Sequence, residues 1–260
     1  MLTPLAILLA LIGAAWGVVA DRIAARWPVH LHEHVHDHAS GDAEHGPDAH
    51  PHEPGDEPVE GRAWAHEHPH AHRDGLEHGR IVQRRFDWRT VVVAAFGAVA
   101  LGAVPLRYPD PPGALVVGAY LVVLVLLLAT DLDQRLMPDL LTLPLAGLVP
   151  VVTVLGWNPL VAPGSLPVAA IVAVALPLLL YLFSIPFARG AFGMGDVKLL
   201  VSVGLLVGPM RLLYAVVIAV FLAGFVILGL LAMRRITLKT FIPYGPFLIF
   251  GAAWAILVLR

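Results

Sequence analysis

Four carboxylates stand in the otherwise acid-free C-terminal half of the chain, at Asp131, Asp133, Asp139 and Asp196. A charged group within an apolar region is costly and usually serves a function. Two carboxylates held close together can share one proton, so that one acts as a base on water while the other donates a proton. These residues are therefore candidates for a hydrolytic site.

Two of these acids have a simpler interpretation. Asp133 and Asp139 could merely terminate helices in polar solvent, and an acid such as Asp139 near a helix N-terminus is favourable as a cap. Asp196 differs because it follows Gly193-Met194-Gly195, and glycine permits tight backbone geometry and close approach of a substrate chain. This spacing is a weak signal alone, and it becomes informative if Asp196 lies on the same membrane face as Asp131.

Composition indicates what surrounds these acids. Hydrophobic residues make up 58% of the 260 residues and charged residues 14%, against roughly 45–50% and about 25% in soluble proteins. The mean hydropathy is +0.78. A soluble globule cannot cover so much apolar surface with so few charges, so we expect an all-α, polytopic membrane helical bundle. The chain has no cysteine, which excludes disulfides, zinc ribbons and thiol catalysis.

Charge-free runs predict about eight transmembrane helices, since a span needs about 20 apolar residues. The first is expected to be retained, because it lacks the positive flank and the cleavage site of a signal peptide. Two spans separate Asp131 from Asp196, so both acids should face the same side. The runs are Met1–Ala20, Thr90–Leu106, Pro111–Thr130, two within Leu140–Ala188 divided by Gly and Pro residues at 156–165, Val197–Pro209, Leu212–Met233 and Thr240–Leu259.

Lysine and arginine predict the orientation. With the N-terminus outside, fourteen of these residues fall on the cytoplasmic side and three outside, which is the bias that cytoplasmic loops carry. Both acids then face the cytoplasm.

A polar loop follows the first span, so we divide the chain into residues 1–29, 30–89 and 90–260. All 13 histidines and 12 of the 19 acidic residues lie between His30 and Arg80. Such a composition cannot bury enough surface to fold alone, so the loop is expected to be largely disordered. Clustered imidazoles can bind zinc, copper or nickel, although adventitious binding is the simpler reading. The candidate ligands are His32, His34, His36, His38, His66, His68, His70 and His72.

This loop also raises the alternative of a membrane transporter or metal-handling protein. A transport path needs ligands near the midplane, such as His, Asp or Glu on the spans. No histidine lies in a predicted span and no acid lies in the middle of one, which weighs against transport.

In order and spacing, residues 90–260 resemble the type IV prepilin peptidases, which are bacterial membrane aspartyl proteases of the GxGD type. A fainter similarity covers Gly17, Asp21, Arg26 and Pro28. The three matching blocks are Thr130-Asp131-Leu132-Asp133-Gln134-Arg135-Leu136-Met137-Pro138-Asp139, Gly193-Met194-Gly195-Asp196-Val197-Lys198-Leu199-Leu200 and Ile242-Pro243-Tyr244-Gly245-Pro246-Phe247.

The resemblance implies that Asp131 and Asp196 form a catalytic pair in the inner membrane of a bacterium. It implies a prepilin or pseudopilin precursor as the substrate, cut on the cytoplasmic face after a glycine, and a lipid bilayer but no nucleic acid as a partner. Lys198 and Arg135 could tune ionisation, hold substrate backbone or simply lie at the membrane edge. The supporting residues are Gly193, Gly195, Lys198, Arg135, Pro138, Asp139, Pro243, Gly245 and Pro246.

Many members of that family carry a cysteine-based zinc motif in the first cytoplasmic loop and methylate the new amino terminus with S-adenosylmethionine. The absence of cysteine here puts that second activity in doubt. Proteolysis by a carboxyl pair requires no cofactor, so S-adenosylmethionine is expected only if methylation is retained, and zinc is an unproven ligand of the loop.

The uneven distribution of lysine and arginine predicts the membrane topology. In intact cells, a Ser40→Cys variant should be shielded from an impermeant thiol reagent, whereas a Ser165→Cys variant should be labelled. The unaltered protein, which has no cysteine, is the control for background labelling. The opposite labelling pattern would reverse the orientation without separating the two acids.

Overall fold

The computed structural model describes residues 3–26, 87–135, 137–187, 192–235 and 244–259. In these ranges the chain is helical and contains no strand, which confirms the all-α prediction. A short 3-10 helix at Pro163–Ser165 precedes the fifth helix. The eight α-helices are α1 (Pro4–Ala24), α2 (Trp88–Arg107), α3 (Pro111–Gln134), α4 (Asp139–Val154), α5 (Leu166–Phe187), α6 (Met194–Val207), α7 (Pro209–Ala232) and α8 (Gly245–Leu257).

Each predicted span corresponds to a helix, but the helices differ in length. Among the described residues, five are long and apolar enough to cross a membrane, namely α1, α2, α3, α5 together with its 3-10 turn, and α7. The 14 residues of α6 extend about 21 Å at 1.5 Å per residue, less than the hydrocarbon core of about 30 Å. The chain is a multi-pass membrane protein, and crossing by α4, α6 and α8 stays a prediction.

The His-rich loop lies outside the described residues. This holds for the histidines proposed as metal ligands and for the expected disorder between the first two helices. The helix that precedes the loop, α1, belongs to the same compact unit as α2–α8.

Polar caps and glycine set the helix boundaries. The side chains of Thr3, Asp87 and Asp110 accept backbone N–H groups at the starts of α1, α2 and α3, as N-cap residues commonly do. Gly208, with φ of +80°, separates α6 from α7 without an intervening loop. Glycine takes this φ at no steric cost, so α6 can end and α7 begin on either side of this one residue.

Helix α3 lies at the centre of the bundle. It packs against α1, α2, α4 and α8, while α8 also contacts α6 and α7. Its Leu121, Leu124, Leu127 and Leu128 are fully buried. The Tyr120 hydroxyl and the hydroxyl of Ser202 lie 3.1 Å apart in a hydrogen bond that joins α3 to α6. This central position fixes the C-terminal end of α3 relative to the neighbouring helices.

Small residues bring α1 and α2 into backbone contact. A Cβ at Gly13 would overlap the carbonyl of Gly97, and a Cβ at Gly17 would come within 2.6 Å of Ala94 Cα. Membrane helices commonly associate through such small-residue interfaces, because close packing replaces the missing hydrophobic driving force.

Candidate active site

Asp131 and Asp196 come together at one end of the bundle. Asp131 lies in the last turn of α3 and Asp196 in the first turn of α6. Their carboxyl groups are close enough for a repulsive electrostatic interaction. The pairing of the end of one helix with the start of another agrees with the expectation that both acids lie on the same side.

Asp131 is the more enclosed of the two acids. Only 5% of the residue is exposed, and its Oδ2 atom has no hydrogen-bond partner among the described residues. The carboxyl group lies against the backbone of Gly245, the first residue of α8, where a Cβ would overlap Asp131 Oδ2. Glycine at this position therefore gives the carboxyl group the space it occupies.

Asp196 is held by its own helix terminus. The backbone N–H of Gly193 donates a hydrogen bond to Asp196 Oδ2 at 3.0 Å. Asp196 lies in the first turn of α6, outside the five candidate spans. Burial raises the pKa of its carboxyl group above the ordinary value, and the Gly193 hydrogen bond opposes that rise. Gly193 thus contributes a backbone donor to Asp196.

The neighbouring acids Asp133 and Asp139 are engaged with cations. Asp133 Oδ1 lies 3.1 Å from Arg89 Nη1 at the start of α2. Both oxygens of Asp139 lie within 2.7 Å of Lys198 Nζ. Asp139 is the first residue of α4, and the N-cap position belongs to Pro138. Lys198 therefore connects α6 with α4 and does not bond Asp196.

The remaining predicted residues lie around the same helix ends. Arg135 ends α3 in the left-handed conformation, with φ of 55°, and its charge interacts with Asp131. Gly195 packs against Met137. Pro246 is buried in the first turn of α8, where proline is tolerated. Pro243 lies outside the described residues.

Three residues near the site were missed in the sequence. Arg89 pairs with Asp133, and Thr90 donates a 2.7 Å hydrogen bond to the buried Asp21; neither contact has a signal in the spacing, because the partners are 44 and 69 residues apart. The side chain of Met137 lies between Gly195 and Gly245. Nothing in the sequence distinguishes this methionine from the other apolar residues of the chain as a neighbour of the site.

The described ranges contain no group of three or more His, Cys, Asp or Glu residues that could hold a metal ion. The eight candidate histidine ligands fall outside these ranges. The groups observed at the helix ends are two carboxyl groups, backbone groups and nearby cations.

The fold and the site define a multi-pass membrane protein with a carboxyl pair at one end of its bundle. Residues 118–228, which are less than half of the chain, match the model of the type IV leader peptidase family. The matched range contains both Asp131 and Asp196 and ends before Gly245.

Similarity to curated proteins is consistent with this match. The chain is similar to proteins named prepilin leader peptidase/N-methyltransferase. The Aeromonas hydrophila protein is 34% identical over 52% of this chain and 46% of its own length. The protein of Burkholderia pseudomallei strain K96243 is 35% identical over 63% and 52%, and that of Pseudomonas putida 31% over 49% and 44%. The chain thus spans about half the length of the curated relatives it matches. No solved structure matches it significantly.

The contact between Asp131 and Gly245 predicts a steric effect. A Gly245→Ala variant should be destabilised by about 1–3 kcal/mol, because the new Cβ overlaps the carboxyl group in a packed site. We expect its melting temperature in detergent to fall by several degrees.

Gly118→Ala is the matched control, since it lies on α3 and a Cβ there meets no atom within 4 Å. This variant should melt at or above the temperature of the unaltered protein. Equal melting temperatures for the two variants would contradict the close contact at Gly245.

Proposed function

We propose that this protein is a membrane-embedded aspartic endopeptidase that removes the leader peptide of type IV prepilin-like precursors on the cytoplasmic face. Asp131 and Asp196 form its catalytic pair. The observation that carries the proposal is the placement of Asp131 in the last turn of α3 and Asp196 in the first turn of α6, with Met137 packed against both Gly195 and Gly245 beside them. The family match over residues 118–228 and the names of the relatives supply the substrate class.

The pair works with one shared proton, because two like charges at short distance resist double ionisation. The ionised carboxylate takes a proton from a water molecule, whose oxygen attacks the scissile carbonyl carbon. The protonated carboxyl group hydrogen-bonds the carbonyl oxygen as it gains negative charge. When the tetrahedral intermediate collapses, the carbon–nitrogen bond breaks and the departing amine receives a proton from the pair.

The surroundings of the two acids suggest how the roles divide. The Gly193 N–H bonded to Asp196 Oδ2 stabilises the charged form of that carboxylate. We therefore assign Asp196 as the base that activates water. Asp131, enclosed against Gly245, is assigned as the group that hydrogen-bonds the scissile carbonyl.

Placement at one end of the bundle suits a precursor with a basic leader followed by an apolar helix. Hydrolysis needs water, and the ends of membrane helices are closer to water than the bilayer midplane. The apolar stem can remain among the spans while the leader stays in the cytoplasm, which is the side that the arginine and lysine bias assigns to both acids. The proposal for this chain is limited to cleavage, although the names of the relatives include an N-methyltransferase, because the chain spans about half of their length.

Replacing either acid by asparagine tests the pair. Asparagine is nearly isosteric with aspartate but can neither ionise nor carry the shared proton. Asp131→Asn and Asp196→Asn should each lower leader cleavage about 10³-fold or more, and the double variant should be no worse than either single variant. Cleavage is measured on a purified prepilin-like substrate in detergent.

The matched controls are Asp133→Asn and Asp139→Asn, which remove the same charge from acids that pair with Arg89 and Lys198. Both should retain much more activity. Substantial cleavage by a well-inserted Asp131→Asn or Asp196→Asn protein would refute the pair. An inactive Asp133→Asn variant would move the first catalytic acid by two residues.

The pH profile tests the role of Asp196. Burial raises the pKa of this carboxyl group, and a base must be ionised to act, so cleavage should be lost on acidification with a midpoint above the ordinary aspartate pKa of about 3.9. Activity should also fall at higher pH, where the pair loses its shared proton. A value of kcat/KM that stays constant down to pH 3.5 would contradict this assignment, and Asp133→Asn should leave the acidic midpoint unchanged.

A further inference from the structure

Met137 lies beside the carboxyl pair and takes no part in the chemistry above. A Cβ on Gly195 would be 3.0 Å from Met137 Cβ, and a Cβ on Gly245 would be 2.6 Å from Met137 Cε. The side chain therefore runs from the start of α6 to the start of α8. Its terminal methyl group and the Asp131 carboxylate both border the same face of Gly245.

The two glycines leave room that the methionine fills. Met137 is partly buried and packs against the hydrophobic core. An unbranched thioether chain fills irregular gaps well. A substrate chain brought to the Asp131 carboxyl group therefore comes close to this side chain, because both border Gly245.

The geometry of hydrolysis decides which substrate residue meets Met137. The scissile carbonyl carbon must lie beside the pair, and it belongs to the residue that precedes the cleaved bond. The Cα atom of that residue is bonded directly to the reacting carbon, whereas the Cα of the following residue is one bond further away, beyond the nitrogen. The side chain of the preceding residue is accordingly the one brought closest to the groups that border the pair.

We propose that Met137 is a specificity-determining residue that restricts the position before the cleaved bond to a very small side chain. Its thioether occupies the volume into which a larger substrate side chain would project. This inference rests on the proposed function and adds the residue that selects the substrate. Met137 acts by occupying space and leaves the proton transfers to Asp131 and Asp196.

The test is a competition between two prepilin-like substrates that differ only at this position, with glycine in one and alanine in the other. Both are incubated in one tube with purified, detergent-solubilised protein, so their ratio of kcat/KM does not depend on the amount of folded enzyme. The unaltered protein should prefer glycine. Met137→Ala removes three heavy atoms and should lower that preference about tenfold or more, since one methylene in an apolar pocket commonly changes discrimination by about 10–200-fold.

Three further variants separate selection from general packing. Met137→Leu keeps most of the volume and should keep the preference, and Met137→Val should give an intermediate ratio. Met210→Ala makes the matched substitution at an exposed residue of α7 and should leave the ratio unchanged. A purely structural role for Met137 would lower cleavage of both substrates equally.

The outcomes distinguish this inference from the proposed function. An unchanged ratio in both Met137→Ala and Met137→Val, with both substrates cleaved, overturns the role of Met137 and leaves the peptidase intact. Equal cleavage of the two substrates by the unaltered protein also overturns it. Failure of the unaltered protein to cleave the glycine substrate contradicts the proposed function itself.

Discussion

The closeness of the carboxyl groups of Asp131 and Asp196 is the constraint on which the rest of the bundle depends. Two ionised carboxylates at this distance would repel each other, so the pair favours the form that retains one proton, and helix packing has to prevent the two groups from separating. The buried leucines of α3 hold one acid at the end of a central helix, and the Tyr120–Ser202 hydrogen bond joins α3 to the helix that carries the other. Packing along these helices thus determines the distance between groups at their ends.

Two nearby cations pair with the neighbouring acids and not with the carboxyl pair. Arg89 pairs with Asp133 and Lys198 with Asp139, and within the described ranges no ion pair holds either member of the carboxyl pair. A lysine bound directly to Asp196 would favour full ionisation and remove the shared proton on which acid–base chemistry depends. The two ion pairs instead connect α2 with α3 and α4 with α6, which lets the neighbouring acids assist the fold while the pair stays available.

The sequence predicted the helices well and the site only in part. Long charge-free runs identify helices directly, because every backbone polar group in a bilayer must be satisfied within the segment. Because two predicted spans separate Asp131 from Asp196, the sequence predicted that both acids lie on the same membrane face, although it gave no information on their side-chain contacts. The spacing could not show that Lys198 binds Asp139 or that Gly245 accommodates the Asp131 carboxyl, since both contacts join residues far apart in the chain. The predicted span Val197–Pro209 begins three residues after the start of α6 and extends two residues past its end, because the uncharged segment continues through the turn at Gly208.

Two glycines permit the close packing at the helix ends that carry the acids. Gly245 lets the Asp131 carboxyl lie against the backbone of α8, and Gly195 lets Met137 approach the start of α6. A Cβ at Gly245 would overlap the Asp131 carboxyl group, and a Cβ at Gly195 would crowd Met137. Because Met137 and the Asp131 carboxyl group border the same glycine, we expect a peptide to bring its carbonyl to the proposed catalytic pair most readily where its own side chain is small. In this proposal, substrate selection is a steric consequence of the same packing that positions the carboxyl group of Asp131.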